Sequence, residues 1–272
     1  MTTVFHRRRL AYWGAAAAAL VVTGGAIAVA EQASATGTSA SGASAAGSSA
    51  PGSTSSGTSS SGASATGKVL WKPNTTVGPT SFASVQCATG NFSVVTSGKG
   101  KVWQAYQAAG QERCEALGPV LTDGQTFYVG WSSKVAIDDS DDRYIFQLKC
   151  DPSTGTANHP IEIDATDGRV RLQEWDTKHV AHPIWTAPIA NNQWHSYALK
   201  IHLGRADGTI DLWYDGKKQT FSTGSGTFTG TTYDGSSDYL KWGSYHPSSG
   251  AAYNTFTSPT MATTLQLATA GS

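Results

Sequence analysis

The chain has 272 residues, with 19 basic and 19 acidic side chains and therefore no net charge at neutral pH. A chain without a basic surplus lacks the electrostatic field that draws proteins onto nucleic acid, so we exclude nonspecific nucleic-acid binding. Any anionic ligand must instead meet a local cluster of cations.

The N-terminal segment is typical of an export signal. Arg7, Arg8 and Arg9 precede an apolar, alanine-rich run, and a small-x-small site follows at Ala33-Ser34-Ala35. This order predicts a signal peptide over residues 1–35 that is cleaved after Ala35, which leaves no stable membrane insertion. The alternative is an uncleaved anchor, because the run is long enough to span a bilayer at ~20 residues.

Residues 36–67 contain only Ser, Gly, Ala, Thr and one proline. Such a composition cannot bury a core and predicts a flexible, disordered linker. Together with the export signal, it predicts a secreted, extracellular protein that is either free or held at the cell wall through this linker.

Strand patterns dominate residues 68–272, which we interpret as one domain. No long stretch has the apolar period of a helix, and Asp167-Gly168 and Asp207-Gly208 are typical of hairpin turns. Many short antiparallel strands predict an all-β fold of two packed sheets, and we expect a monomer. The β-rich segments are 92–95, 101–108, 126–135, 143–149, 161–165, 169–175, 194–203, 209–216, 239–245 and 263–268.

The three cysteines predict one disulfide and one remaining thiol, because an exported chain meets an oxidising environment. We favour the pair Cys87–Cys114, with Cys150 left over. No C-x-x-C or H-x-x-x-H spacing occurs, so we expect no metal and no cofactor. The acidic run 138–142 could bind calcium through its oxygens, but a solvated turn explains it more simply.

Three segments carry polar side chains at every second position, which places them on one face of a strand. Together they indicate one cationic sheet face suited to an acidic polysaccharide, because cations pair with carboxylates and aromatic rings pack on sugars. Trp103 and Trp175 are the tryptophans that we expect at the surface as sugar platforms. The polar positions are Gln111, Arg113 and Glu115; Gln147 and Lys149; and Tyr239, Lys241, Gly243 and Tyr245.

These residues resemble the jelly-roll polysaccharide lyases, in particular the heparin-lyase-I-like family and its alginate- and glucuronan-lyase relatives. The R-x-E, Q-x-H and Y-x-K-x-G-x-Y strands of that family correspond here to 113–115, 147–149 and 239–245. The hairpin 194–217 also resembles one of concanavalin-A-like jelly rolls. The resemblance implies a concanavalin-A-like β-jelly roll that cleaves a uronate-containing polysaccharide by β-elimination.

The same resemblance implies the site residues. It assigns Arg113 and Gln147 to the substrate carboxylate and Tyr245 to proton transfer, and it makes Lys149 a catalytic position. From the sequence pattern itself, we expect the substrate-binding residues to be Lys241, Tyr239, Glu115, Gln111, Trp103 and Trp175.

One departure concerns the base, because Lys149 stands where the family has histidine. Tyr245 could then act as both base and acid, if neighbouring cations lower its pKa. Lys149 would need a similar depression, and His179 or His182 could reach the site from another strand.

Two other functions remain open. The domain could bind polysaccharide without cutting it. The segment 161–167 also approaches the E-x-D-x-x-E motif of jelly-roll glycoside hydrolases, which use paired carboxylates. There Asp167 falls in the predicted turn, which disfavours the hydrolase.

Overall fold

The computed structural model describes residues 67–138, 141–166 and 168–272. The predicted signal peptide and all of the predicted linker except Gly67 lie outside the described residues, so this division of the chain stays a prediction. Within the described part, no helix is long and apolar enough to cross a membrane.

The described chain is almost entirely β-structure, which the Trp, Tyr, Val, Ile and Thr content of its strands favours. One short 3-10 helix spans Pro79–Ser81, and α1 spans Leu265–Thr269. The strands are β1 Val69–Trp71, β2 Ser84–Gln86, β3 Phe92–Ser97, β4 Gly100–Gln107, β5 Arg113–Leu121, β6 Thr126–Ile137, β7 Arg143–Asp151, β8 Ile161–Thr166, β9 Arg169–Trp175, β10 Ala181–Pro188, β11 Trp194–His202, β12 Gly208–Tyr214, β13 Lys217–Lys218, β14 Phe228–Gly230, β15 Ser237–Tyr245, β16 Ala252–Phe256 and β17 Thr260–Ala262.

The strands form two antiparallel sheets. One has seven strands in the order β10-β9-β8-β7-β15-β5-β2. The other has ten, with a main path β13-β12-β11-β6-β16-β4-β3 to which β1, β14 and β17 attach. The predicted all-β jelly-roll sandwich is therefore confirmed.

The core lies between the two sheets and is built on stacked aromatic rings. Trp131 of the ten-stranded sheet stacks on Phe146 of the seven-stranded sheet, with ring centroids 4.9 Å apart. Tyr197 packs on the other side of Trp131 at 5.4 Å. Aromatic pairs at these separations stabilise a core beyond the area they bury.

Trp103 belongs to this core, so its prediction as a surface sugar platform is wrong. Its side chain is fully buried and packs edge-on against Phe82 at 4.9 Å. Its indole Nε1 donates a hydrogen bond to Ser258 Oγ at 3.1 Å. The alternation along β4 turns this ring toward the opposite sheet and leaves no face for a sugar.

The hairpin of β11 and β12 forms as predicted, and its apolar residues Tyr197, Leu199 and Ile201 point into the core. The predicted disulfide Cys87–Cys114 is also present and ties the end of edge strand β2 to β5. Cys150 remains a buried thiol, 3.1 Å from Thr156 Oγ1.

Candidate functional site

The polar face is the outward side of neighbouring strands β5, β15 and β7. Strand pairing sets Tyr245 opposite Arg113 and Lys241 opposite Gln147. The intervening side chains point into the core, as strand parity predicts: Cys114, Phe146 and Leu148. Sequence reasoning therefore brought the right segments together on one sheet.

Glu115 is the centre of the polar face. Gln147 Nε2 donates a hydrogen bond to Glu115 Oε1 at 2.5 Å, and Lys241 Nζ donates to Glu115 Oε2. Arg113 lies 3.6 Å from the same carboxylate. Burial raises the pKa of Glu115 and lowers the pKa of Lys241, while their contact opposes both shifts.

This cluster bears on the substrate-binding role predicted for Lys241 and Glu115, which stays a prediction. Both side chains are about 2% exposed, and their charges are directed at each other. A buried pair of this kind holds neighbouring groups in place and has no free face for a ligand. Gln147 is also buried, and its amide nitrogen is bonded to Glu115.

Arg113 and Tyr245 are the accessible members of the cluster. The Arg113 guanidinium lies 4.5 Å from the centre of the Tyr245 ring, and its side chain is 29% exposed. Burial raises the pKa of Tyr245, although Arg113 opposes the shift. Tyr245 is therefore a protonated phenol at neutral pH, and the lowered pKa that a tyrosine base needs is not found.

Lys149 does not face the cluster as a free amine. Its Nζ donates to Ser153 Oγ at 2.7 Å and to Asn158 O at 3.1 Å, and it also contacts Asn158 Oδ1. Burial lowers its pKa. These bonds anchor the loop between β7 and β8, while Tyr239 lies opposite Lys149 on β15.

The other predicted site residues are scattered. Gln111 precedes β5, and its Oε1 accepts a bond from Asn91 Nδ2 at 3.2 Å, so it does not continue the β5 face. His179 lies in the turn between β9 and β10. His182 is half exposed and pairs with Asp176 at 3.2 Å.

Trp175 lies at the end of β9 on the outward side, as predicted. Its ring meets His159 with centroids 4.3 Å apart. His159 is 5% exposed, and burial lowers its pKa to about 3, so this imidazole is neutral and inaccessible.

A cross-strand row, which the sequence did not reveal, extends the site over five strands. Pairing aligns one outward residue on each of β5, β15, β7, β8 and β9. Tyr245 contacts the next ring, Tyr144, at a centroid distance of 5.5 Å. The members of the cross-strand row are Arg113, Tyr245, Tyr144, Asp164 and Arg171.

The far end of this row is acidic. Arg171 Nε donates to Asp164 at 3.0 Å, and Arg171 NH2 lies 3.1 Å from Asp142. Burial raises the pKa of Asp164 to about 6, against the pull of Arg171. Glu162 lies beside Asp164 on β8. Gln173 Nε2 donates a hydrogen bond to each of these two carboxylates, at 3.1 Å in both cases.

These contacts bear on the hydrolase and calcium alternatives. Glu162 and Asp164 do share one face, but Asp167 lies outside the described residues. Among the residues that the structure does describe, no group of three or more His, Cys, Asp or Glu could hold a metal ion. Asp141 and Asp142 instead contact Ser248 and Arg171, while Asp139 lies outside the described residues.

A partly exposed guanidinium beside a phenol on one polar sheet face can bind a ligand that carries carboxylates and hydroxyls. A family model described as polysaccharide lyase matches residues 72–263. The chain therefore belongs to this family and is a polysaccharide lyase.

Several solved structures resemble the fold, at low identity. An alginate lyase of polysaccharide lyase family 7 is 13% identical over 65% of this chain and 83% of its own, with a TM-score of 0.43. An alginate lyase from Corynebacterium sp. is 13% identical over 64% and 82%, with a TM-score of 0.45. Alginate lyase AlyC3 in complex with dimannuronate is 8% identical over 65% and 79%, with a TM-score of 0.44. No curated protein matches the chain.

Proposed function

We propose that this lyase cleaves a uronate-containing polysaccharide by β-elimination at Arg113 and Tyr245. The observation that carries the proposal is the partly exposed guanidinium stacked 4.5 Å over a partly exposed phenol. An accessible guanidinium fits a uronate carboxylate, since it donates two parallel hydrogen bonds. The similar solved structures named as alginate lyases agree with a uronate polymer.

The chemistry needs three functions in one place. The carboxylate must be neutralised so that its α-proton becomes acidic, a base must take that proton, and the 4-linked oxygen must leave with a proton. Arg113 supplies the first function. Tyr245, whose raised pKa keeps it protonated, supplies the third as general acid.

Glu115 and Glu112 hold the Arg113 guanidinium in place. Lys241 and Gln147 in turn bond the two carboxylate oxygens of Glu115. This arrangement fixes the guanidinium before substrate arrives, which lowers the cost of orienting it in the transition state. We propose that Lys241 and Gln147 act through Glu115 and that neither contacts substrate.

A polymer screen tests the proposal. Protein that lacks residues 1–35 would be incubated with alginate, glucuronan, heparin-type and hyaluronan-type chains, with and without a chelator. Ultraviolet absorbance of the new double bond conjugated to the carboxylate should rise with at least one polymer, and the chelator should not change the rate. No rise in absorbance with any of the four polymers, together with retention of the protein on a polymer gel, would instead indicate a non-catalytic binding module.

We also propose that the enzyme acts outside the cell as a monomer. The export pattern of residues 1–35 and the disulfide Cys87–Cys114 support an oxidising compartment. Disulfide content and mass of the protein recovered from the medium would test the location and the cleavage after Ala35.

A further inference from the structure

His246 presents an accessible imidazole beside the cross-strand row. It follows Tyr245 at the end of β15, and its side chain is 42% exposed. Its ring lies 5.6 Å from that of Tyr144, which itself contacts Tyr245. Consecutive residues of a regular strand point to opposite faces, so this placement requires the strand to end at Tyr245.

The backbone of His246 is held in an unfavourable conformation. Its φ is 133°, which costs a residue with a side chain about 1–3 kcal/mol. Two hydrogen bonds fix it there: His246 N donates to Glu112 O at 3.2 Å, and Gln107 Nε2 donates to His246 O at 2.7 Å. Gln107 is fully buried, so the surrounding structure determines this conformation.

A chain of charged groups lies behind the imidazole. His246 Nδ1 is 3.4 Å from Asp142 Oδ1, and Asp142 is held by Arg171 at 3.1 Å. Arg171 is in turn bonded to the buried carboxylate of Asp164. Nδ1 of His246 and Oδ1 of Asp142 do not form a hydrogen bond, but a carboxylate this close to Nδ1 favours a proton on that nitrogen and leaves Nε2 to accept one.

We propose that His246 is the general base of the elimination, an inference that rests on the proposed function. Nε2 of His246 takes the α-proton of the uronate bound at Arg113, and the C–H electron pair forms the new double bond. The bond from C4 to the linking oxygen breaks, and that oxygen takes the proton of Tyr245. The proton on His246 then passes to solvent, and solvent reprotonates Tyr245.

Asp142 and Arg171 are positioning residues in this scheme, because each acts through the next group. The scheme makes no use of Lys149, whose amine anchors the loop between β7 and β8.

Two variants of His246 test the base directly. His246→Gln removes the base at similar size, and His246→Gly removes the side chain at a φ that glycine tolerates. Both should lower kcat by ~10²–10⁴-fold while polymer binding stays close to that of the parent. The unfolding midpoint should stay close to the parent's for His246→Gln and should not fall for His246→Gly, because glycine relieves the strained φ. Added imidazole should restore about tenfold or more of the activity of His246→Gly and none of the activity of Tyr245→Phe.

His182→Gln is the matched control, because His182 is also exposed and paired with an aspartate. It should keep the parent kcat. The inference fails if either His246 variant retains more than about a tenth of the parent kcat. It also fails if imidazole rescues nothing. Absence of product from the parent on every polymer would refute the proposed function itself, so the two failures are distinguishable.

The positioning role has its own readout. Asp142→Asn should lower kcat about tenfold or more with KM unchanged, since it removes the negative charge beside Nδ1 of the base without contacting substrate. Asp176→Asn, which removes the partner of His182, should change neither constant. A raised KM with the parent kcat for Asp142→Asn would show that Asp142 binds substrate. That result would overturn its proposed role as a positioning residue.

Discussion

One buried carboxylate organises the accessible groups of the polar face. Glu115 takes hydrogen bonds from Gln147 and Lys241 and lies 3.6 Å from Arg113, whose guanidinium also contacts Glu112 and Gln86. Gln147 and Lys241, which the sequence suggested as substrate ligands, therefore hold Glu115 in place. The distinction matters because removing a substrate ligand and removing a positioning residue change kcat and KM differently.

Tyr245→Phe tests the general acid. The change removes the hydroxyl and keeps the ring that stacks under Arg113, so kcat should fall by ~10²–10⁴-fold while polymer binding survives. Initial rates and binding isotherms on the same polymer measure the two effects. Tyr253→Phe, on β16 of the ten-stranded sheet, is the control and should remain active. Full activity of Tyr245→Phe would contradict the proposed role.

Lys241→Met tests the buried pair. Leaving Glu115 without its cation should cost about 3–5 kcal/mol of unfolding free energy, because a buried charge loses its partner. Denaturant unfolding measures this loss. Adding Glu115→Gln to the same chain should recover part of it, since the uncompensated charge is then removed.

Lys200→Met is the matched control for that experiment. Lys200 lies on the outer side of the ten-stranded sheet, 5.9 Å from the Tyr128 ring. Its removal should change the unfolding free energy by no more than about 0.5 kcal/mol. If Lys200→Met and Lys241→Met lowered the unfolding free energy equally, the buried pair of Lys241 and Glu115 would not be the cause of the loss in Lys241→Met.

At the scale of strands, parity predicted the polar face but not its width. Periods of two in 113–115, 147–149 and 239–245 placed Arg113 and Tyr245 on one face. The sequence did not predict the part of the cross-strand row that begins at Tyr144. The pairing of β7 with β8 is irregular between Tyr144 and Phe146, and this irregularity turns Tyr144 outward where a strict period of two would turn it inward. His246 was hidden for a similar reason, because only its positive φ turns it toward the row.

Gly243→Ala tests how closely β15 must approach β5. A Cβ on Gly243 would lie 2.1 Å from the carbonyl oxygen of Cys114, and its φ is 152°. The added methyl must push the strands apart beside Glu115, so we expect a loss of more than about 1 kcal/mol in unfolding free energy. Activity should fall as well, because Arg113 and Tyr245 lie on the two separated strands.

Gly98→Ala is the comparison, since a Cβ there meets nothing within 4 Å and its φ is not positive. It should leave unfolding and activity unchanged. A tolerated Gly243→Ala would show that the two strands can separate without disturbing the site.

At the scale of the whole molecule, composition and period were enough to predict a two-sheet sandwich, because alternation fixes which face of each strand is buried. They could not give strand order, and with it the neighbours of each side chain. The tryptophans illustrate the limit: Trp103 and Trp175 were both predicted at the surface, yet Trp103 is in the core and Trp175 is at a strand end.

Stability should depend on pH through the buried Asp238. Burial raises its pKa from 3.8 to about 7, so the native state binds a proton more tightly than the unfolded chain. This group therefore favours folding at acidic pH, and its contribution is lost as pH rises toward 7. Asp238→Asn should stabilise the protein by roughly 1–3 kcal/mol at about pH 8 and change little at about pH 4.

Urea unfolding at the two pH values measures this effect, with the exposed Asp123→Asn as control. His159 has the opposite effect on stability, because burial lowers its pKa to about 3 and the folded state therefore favours the neutral imidazole. The stability that His159 contributes is lost as pH falls below the ordinary histidine pKa. An Asp238→Asn variant with the parent's pH dependence would show that the carboxyl is not buried in solution.

The segment 36–67 should add nothing to this stability. Its composition cannot offset the entropy of ordering, so its amides should exchange with solvent at the rate of an unfolded peptide. Hydrogen exchange read by mass spectrometry checks this, and β5 and β15 in the same sample give the protected reference. Slow exchange within the segment would mean that it packs on the domain.

The disulfide has a consequence for when the enzyme can work. Cys114 stands between Arg113 and Glu115, and its partner Cys87 follows the edge strand whose Gln86 also contacts Arg113. Oxidation therefore braces Arg113, which we propose binds the uronate, and Glu115, which supports Arg113. While the thiols are reduced, the newly made chain lacks that brace, so maturation of the catalytic face is timed by the same oxidation that completes the fold.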